Sequence, residues 1–233
     1  MTAAAIAVHY TWETFASTTS GIGTVTAAWL ATTWAAASMD LADEGRLVWR
    51  VRAAALGTVA SARVLAWLGA PVGAHYLLVA ANVLGGASVL MLARSARRME
   101  LGSALLAAHR SLLLACIALA NGMAMIVSSE ILEMRPPLNK GAAIVASTLG
   151  DGVVFCASAY ALLRLRHLLR GKLAMPYLAL SLAGVMYLMS NVAHLAHAKS
   201  VFRILATLGW SFSVSAAVSQ ALLARGWWLH GRH

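Results

Sequence analysis

Seven apolar segments, each about 20 residues long, follow one another along most of this chain. An α-helix needs a run of about this length to cross the hydrocarbon of a bilayer. Short connections with turn residues, such as Ala70-Pro71 and Arg135-Pro136-Pro137, separate the segments. The pattern predicts an all-α, polytopic membrane bundle of about seven transmembrane helices. The predicted segments are Thr19–Met39, Val51–Gly69, Ala74–Ala93, Ser103–Ser128, Ala142–Leu163, Pro176–Ala196 and Val201–Ala224.

The composition agrees with a protein that lipid solvates. Hydrophobic residues make up 61% of the chain and charged residues only 11%, against roughly 25% charged in a soluble domain. We expect the lipid bilayer as the main partner, with further membrane subunits or copies of the chain as possible others, and no nucleic acid. The expected location is the inner (cytoplasmic) membrane of a bacterium.

The basic residues predict the orientation of the bundle. Residues 1–18 are expected to form a short interfacial segment, residues 19–224 the transmembrane domain, and residues 225–233 a basic tail. Short cytoplasmic loops are enriched in Lys and Arg, and twelve basic residues fall on one predicted side against four on the other. The N-terminus is therefore predicted outside and the C-terminus in the cytoplasm. The twelve are Arg46, Arg50 and Arg52, assigned to the loop after the first segment, Arg94, Arg97 and Arg98 after the third, Arg164, Arg166, Arg170 and Lys172 after the fifth, and Arg225 and Arg232 in the tail. The four on the other side are Arg135, Lys140, Lys199 and Arg203.

Asp151 is the charged residue with the clearest functional meaning. It lies between Gly150 and Gly152 in a segment with no other charge in its apolar core. Such carboxylates face a bundle interior or a cavity, because exposure to hydrocarbon costs several kcal/mol. At 1.5 Å per residue, Asp151 lies roughly 13 Å and Arg63 roughly 9 Å below the outer ends of their segments. We predict one outward-facing polar pocket for a small ligand or a proton, with candidate residues Asp151, Arg63, Asn82, Asn121, Asn191 and Glu130.

Three interpretations of Asp151 and Arg63 remain open at this stage. In the functional one, a substrate competes for Arg63 while Asp151 changes its protonation. In the structural one, the two charges neutralise each other and fix the order of the helices. In the third, Arg63 extends to the outer headgroups and leaves Asp151 neutral.

A second set of polar residues predicts a metal or haem site. His194 and His197 are three residues apart and share a helix face, and His75 lies at a similar depth. With Glu130 at the same depth, these imidazoles would suffice for zinc or copper, and His75 with His194 would suit a bis-histidine haem. The alternative is that the histidines are interfacial residues in contact with water and headgroups.

Two families share parts of these patterns. The seven helices and the outside N-terminus are similar to those of microbial rhodopsins, which hold retinal on a lysine in the last helix. Segment Val201–Ala224 contains no lysine, so a retinal Schiff base is not expected. The Ser190-to-His194 spacing resembles one motif of the seven-helix zinc hydrolases of the ceramidase and adiponectin-receptor type. Their second histidine motif, with histidines four apart in a late helix, is absent.

The sequence therefore favours an integral membrane transport or sensing protein with an outward-facing pocket. The alternative is an accessory subunit, or a metal- or haem-binding redox subunit, of a larger membrane complex. No catalytic residues are predicted, and enzymatic activity is left open.

Overall fold

The computed structural model describes residues 21–40, 43–98, 103–165, 175–196 and 198–226. These residues form seven α-helices and no strand, which confirms the predicted all-α class. The predicted interfacial segment 1–18 and residues 227–233 of the basic tail lie outside the described residues. The helices are α1 (21–37), α2 (Glu44–Trp67), α3 (Pro71–Arg98), α4 (Ser103–Met134), α5 (Leu138–Leu165), α6 (Met175–Leu195) and α7 (Lys199–Ala224).

Four of these helices are long and apolar enough to cross a membrane, as expected of a membrane protein. The stretches are Pro71–Ser95, Leu138–Ala161, Met175–His194 and Ser200–Ala224. Helix α4 contributes a shorter apolar stretch, Leu114–Ser129. Seven membrane spans and the orientation of the bundle stay predictions.

The helices extend beyond the apolar segments that predict them. Helix α5 begins at Leu138 instead of Ala142, and α2 begins at Glu44 instead of Val51. The start of α2 is set by Asp43, whose carboxylate accepts a hydrogen bond of 2.7 Å from the backbone N–H of Gly45. Polar residues continue a helix because its hydrogen bonds lie in the backbone, whereas hydropathy marks only the part that meets lipid.

The longer helices leave three connections of three residues each, at positions 68–70, 135–137 and 196–198. These lie at one end of the bundle, here called the short-loop end. The other end, here called the basic end, carries the connections after α1, α3 and α5. The prediction that Arg46, Arg50 and Arg52 lie in a loop is wrong, because all three belong to α2.

The helices pack around a common centre. Helix α2 packs against α3, α3 against α5, α5 against α4 and α6, and α6 against α7. Helix α1 meets the end of α7, where Nε of Arg225 donates to the hydroxyl oxygen of Ser38 at 3.1 Å. The guanidinium of Arg225 also lies 5.3 Å from the centroid of the Trp34 ring. The core near the basic end is rich in alanine, which allows close approach of helices: Ala35, Ala161, Ala216, Ala217 and Ala221 are completely buried.

An apolar stripe on α3 faces away from this core. Tyr76, Val83 and Leu90 are spaced seven residues apart, which places them on one face of the helix. Their side chains are 65%, 66% and 57% exposed. A large apolar surface of this kind suits contact with lipid chains, as the hydropathy of α3 predicts.

Candidate functional site

Five helices line a partly open cavity of about 210 Å³ in the bundle. Each of α2, α3, α5, α6 and α7 contributes side chains to its wall. Four of the six pocket residues suggested by the sequence, Asp151, Arg63, Asn82 and Asn191, line it. The other lining residues are Val59, Leu78, Ser147, Tyr187, Ser190, Phe202, Ala206 and Trp210.

Asp151 is held by a neutral donor from the neighbouring helix. The amide nitrogen of Asn191 donates to Oδ2 of Asp151 at 2.9 Å, and Ser147, one turn earlier on α5, lines the same cavity. Charged and polar groups buried in an apolar bundle require such partners, because their desolvation is otherwise uncompensated. This hydrogen bond fixes the carboxyl group between α5 and α6 without using a cation.

The glycines on either side of Asp151 allow neighbouring helices to approach. A Cβ atom on Gly150 would lie 2.6 Å from the side-chain oxygen of Asn82 on α3. A Cβ atom on Gly152 would lie 3.3 Å from Cβ of Ala120 on α4. Gly150 therefore has the direct structural role, since it admits the polar Asn82 side chain beside Asp151.

Arg63 is the charged group of the cavity for which the described residues supply no hydrogen-bond or ion-pair partner. Its side chain lines the cavity, and a Cβ atom on Gly21 of α1 would lie 3.1 Å from its Nη1 atom. Among the described residues, neither an ion pair to Asp151 nor any other hydrogen bond of this guanidinium is present. The structure thus brings Arg63 and Asp151 to the same cavity without joining them.

Two aromatic residues that the sequence analysis did not select form a wall of the cavity. The rings of Tyr187 and Trp210 meet edge to face, with centroids 5.0 Å apart. The hydroxyl groups of Tyr187 and Ser213 lie 3.0 Å apart, at hydrogen-bond distance. A Cβ atom on Gly209 would lie 2.5 Å from the Tyr187 ring, so glycine is needed there. The available signal was spacing, since Tyr187 precedes Asn191 by four residues and shares its helix face.

A groove of about 490 Å³ between α2 and α3 lies next to the cavity. Arg63 and Leu78 line both spaces, so the guanidinium stands where they meet. His75 forms part of the groove, and its Nδ1 atom lies 2.9 Å from the amide nitrogen of Asn139 on α5. Because an amide nitrogen only donates, Nδ1 of this imidazole is the acceptor. The groove lies near the short-loop end, so Arg63 is reached from two sides.

The remaining predicted residues do not join the cavity. Asn121 is exposed on α4, and nothing is described of the Glu130 side chain. His194 is exposed, with its ring centroid 5.2 Å from that of Phe202, and His197 lies outside the described residues. No group of three His, Cys, Asp or Glu side chains suited to a metal ion occurs in the described part of the chain. The metal set of His75, His194 and His197 stays a prediction.

Comparison with known proteins does not assign this chain to a family. The chain matches no protein-family model, and no curated protein or solved structure is significantly similar to it. A functional assignment must therefore come from the chemistry of the cavity. Its main feature is a guanidinium group without a partner among the described residues, near a carboxyl group that accepts a hydrogen bond from Asn191.

Proposed function

We propose that this protein is an integral membrane transport or sensing protein that binds a small anion on Arg63. The observation that carries the proposal is the guanidinium of Arg63, which lines the cavity and has no partner among the described residues. A buried cation without a counter-charge is costly, and an anionic ligand removes that cost. Arginine also presents donors that match planar or tetrahedral oxyanions.

The second element of the proposal is a proton on Asp151. An ionised carboxylate in the same small cavity opposes the charge of Arg63 and weakens its attraction for an anion. A protonated carboxyl group leaves the charge of Arg63 available. Anion binding and protonation of Asp151 are therefore expected to favour each other, as linkage requires.

The size of the cavity supports a small ligand. Its volume of about 210 Å³ lies below the roughly 300–1,000 Å³ of pockets for drug-sized molecules. Amide and hydroxyl groups of Asn82, Asn191 and Ser147 offer hydrogen bonds, and Trp210 and Tyr187 enclose the ligand. An inorganic anion, with its few atoms, suits this space.

The side of access follows from the distribution of basic residues. The positive-inside rule favours an extracytoplasmic short-loop end, since most of the basic residues lie toward the other end. The groove beside Arg63 then opens toward the outside of a bacterial cytoplasmic membrane.

The test is anion binding by the purified protein with and without Arg63. Chloride, nitrate and inorganic phosphate are titrated separately into protein kept in a gluconate medium, and binding is followed by calorimetry. We expect at least one of them to bind, and Arg63→Gln to weaken that binding by about tenfold or more, because a hydrogen bond to a charged group contributes about 1.5–3 kcal/mol.

Arg203→Gln is the matched control, because Arg203 is an exposed arginine on α7 outside the cavity lining. It is expected to leave binding unchanged. Failure of all three anions to bind the unmodified protein, or equal binding by Arg63→Gln, would contradict the proposed function.

A further inference from the structure

A second arginine lies inside the bundle, closer to its basic end. Arg52 of α2 is only 6% exposed, although its position beside the first predicted loop suggested a solvated residue. It precedes Arg63 by eleven residues, so the two guanidinium-bearing residues leave the same face of α2, about 16 Å apart along the helix axis. Val59, which lines the cavity, lies between them on that face.

Arg52 has no counter-charge in the described structure. Its Nε atom is buried without a hydrogen-bond acceptor, and no ion pair joins it to a described acidic residue. Because an ionised Asp151 offsets only one of the two guanidinium groups, the set of Arg52, Arg63 and Asp151 retains a positive charge. A buried cation of this kind requires an anion or several acceptors.

Tyr187 is the aromatic residue of the cavity nearest to the proposed path. It lines the cavity together with Arg63 and Asp151, and its ring forms part of the wall. The ring is positioned by Trp210 and Gly209, and its hydroxyl by Ser213. Tyr187 is therefore a fixed part of the cavity wall on the face that Arg63 also lines.

A further arginine of α2 lies closer to the basic end. Arg46, six residues before Arg52, is half-buried and has a buried Nε atom without an acceptor among the described residues. The three arginines thus lie at successive depths, about 9 Å and 16 Å apart along the axis, although Arg46 leaves α2 roughly 100–120° away from the direction of the other two. Fixed cations at successive depths are favourable binding positions for an anion, and they oppose the passage of cations.

We propose that Arg52 is a second, inner binding site for the anion that Arg63 binds, and that the anion passes Tyr187 between the two. This inference rests on the proposed function. It makes the protein a transporter of small inorganic anions, since a receptor would not require an inner site. Tyr187 is the barrier that keeps the two sites from forming one open pore.

The first experiment compares flux with binding. Protein is reconstituted into vesicles in a gluconate medium, and uptake of chloride, nitrate and inorganic phosphate is measured by ion chromatography. We expect Arg52→Gln to lower uptake of the bound anion at least tenfold while its affinity at the Arg63 site changes less than twofold. Arg52→Lys keeps a cation and is expected to retain part of the flux.

Arg50→Gln is the matched control, since Arg50 lies two residues away on the exposed side of the same helix. It is expected to leave flux and binding unchanged. Binding without uptake by the unmodified protein, or normal uptake by Arg52→Gln, would overturn the inner site and leave the proposed function standing. Absence of binding itself would overturn both.

A second measurement needs no variant and covers the case in which Arg52 variants do not fold. Reconstituted protein is treated with phenylglyoxal, which modifies accessible guanidinium groups, and its peptides are analysed by mass spectrometry. We expect the bound anion to protect Arg52 at least threefold and Arg50 not at all. Equal modification of Arg52 with and without the anion, or no modification under either condition, would contradict an inner anion site.

Discussion

Asp151→Asn is expected to tighten anion binding at alkaline pH by about 30-fold and to abolish its dependence on pH. Asparagine preserves the shape of the side chain and removes its negative charge. Two unit charges across a small protein cavity interact by about 2 kcal/mol at an effective dielectric constant of about 20, which corresponds to roughly 30-fold in affinity. The variant therefore resembles the protonated form of the natural protein at every pH.

The direction of the pH effect in the unmodified protein follows from the same charge. As pH rises and Asp151 ionises, its charge offsets that of Arg63, so anion affinity falls. The titratable or charged groups of the lining are Arg63 on α2, Tyr187 on α6 and Asp151 itself on α5, while α3 and α7 contribute neutral side chains. Arginine keeps its charge throughout the accessible pH range, so Asp151 is the group whose protonation this pH series tests.

The measurement is the dissociation constant of the bound anion at several pH values between about pH 5 and pH 9. Ser147→Ala is the control, because it removes a hydroxyl group from the cavity wall one turn from Asp151 but leaves the carboxyl group in place. It is expected to retain the pH dependence. A flat pH profile in the unmodified protein, or an Asp151→Asn profile that matches it, would show that Asp151 is not linked to the anion.

Gly184→Ala is expected to destabilise the bundle by about 2–3 kcal/mol, the upper part of the range for overpacking. A Cβ atom on Gly184 would lie 2.8 Å from both the Cα and the N atoms of Phe155. These are backbone atoms of α5, so relief requires α5 and α6 to move apart. The same movement strains the hydrogen bond between Asn191 and Asp151, which joins these two helices.

The thermal midpoint in detergent measures this effect. For a chain of this size, 2–3 kcal/mol corresponds to a fall of about 5–10 °C. Gly85→Ala is the control, because a Cβ atom on Gly85 of α3 would meet nothing within 4 Å. Alanine favours a helix interior by about 1 kcal/mol over glycine, so this control is expected to hold or raise the midpoint. If Gly184→Ala had the same thermal midpoint as the unmodified protein, the contact between Gly184 and Phe155 would not be rigid.

Most of the polar residues that line the cavity could be predicted from their depth along the helices. A regular rise of 1.5 Å per residue lets a sequence place Asp151, Arg63, Asn82 and Asn191 at related depths, and all four line the cavity. Depth alone does not say which way a side chain faces. Asn121 had a suitable depth, but α4 packs at the side of α5 and leaves this residue exposed.

Arg52 is a residue whose burial the sequence did not predict. Its place beside other arginines indicated a cytoplasmic loop, and the hydropathy pattern contained no signal of burial. Asp43 starts α2 seven residues before the predicted segment, so Arg52 lies within the helix, and packing of the bundle leaves it only 6% exposed. The role of Gly150 was likewise hidden, because it depends on Asn82 of another helix.

The sequence by itself determined the all-α class, the approximate positions of the helices and the presence of a costly carboxyl group among apolar residues. These properties are local, because helix formation and transfer into lipid depend on composition over about 20 residues. The tertiary structure decided that Arg63 and Asp151 share a cavity without pairing, that Tyr187 and Trp210 form its wall, and that Arg52 is buried. These properties depend on which faces of distant helices meet, and that is set by packing between helices that lie far apart in the chain.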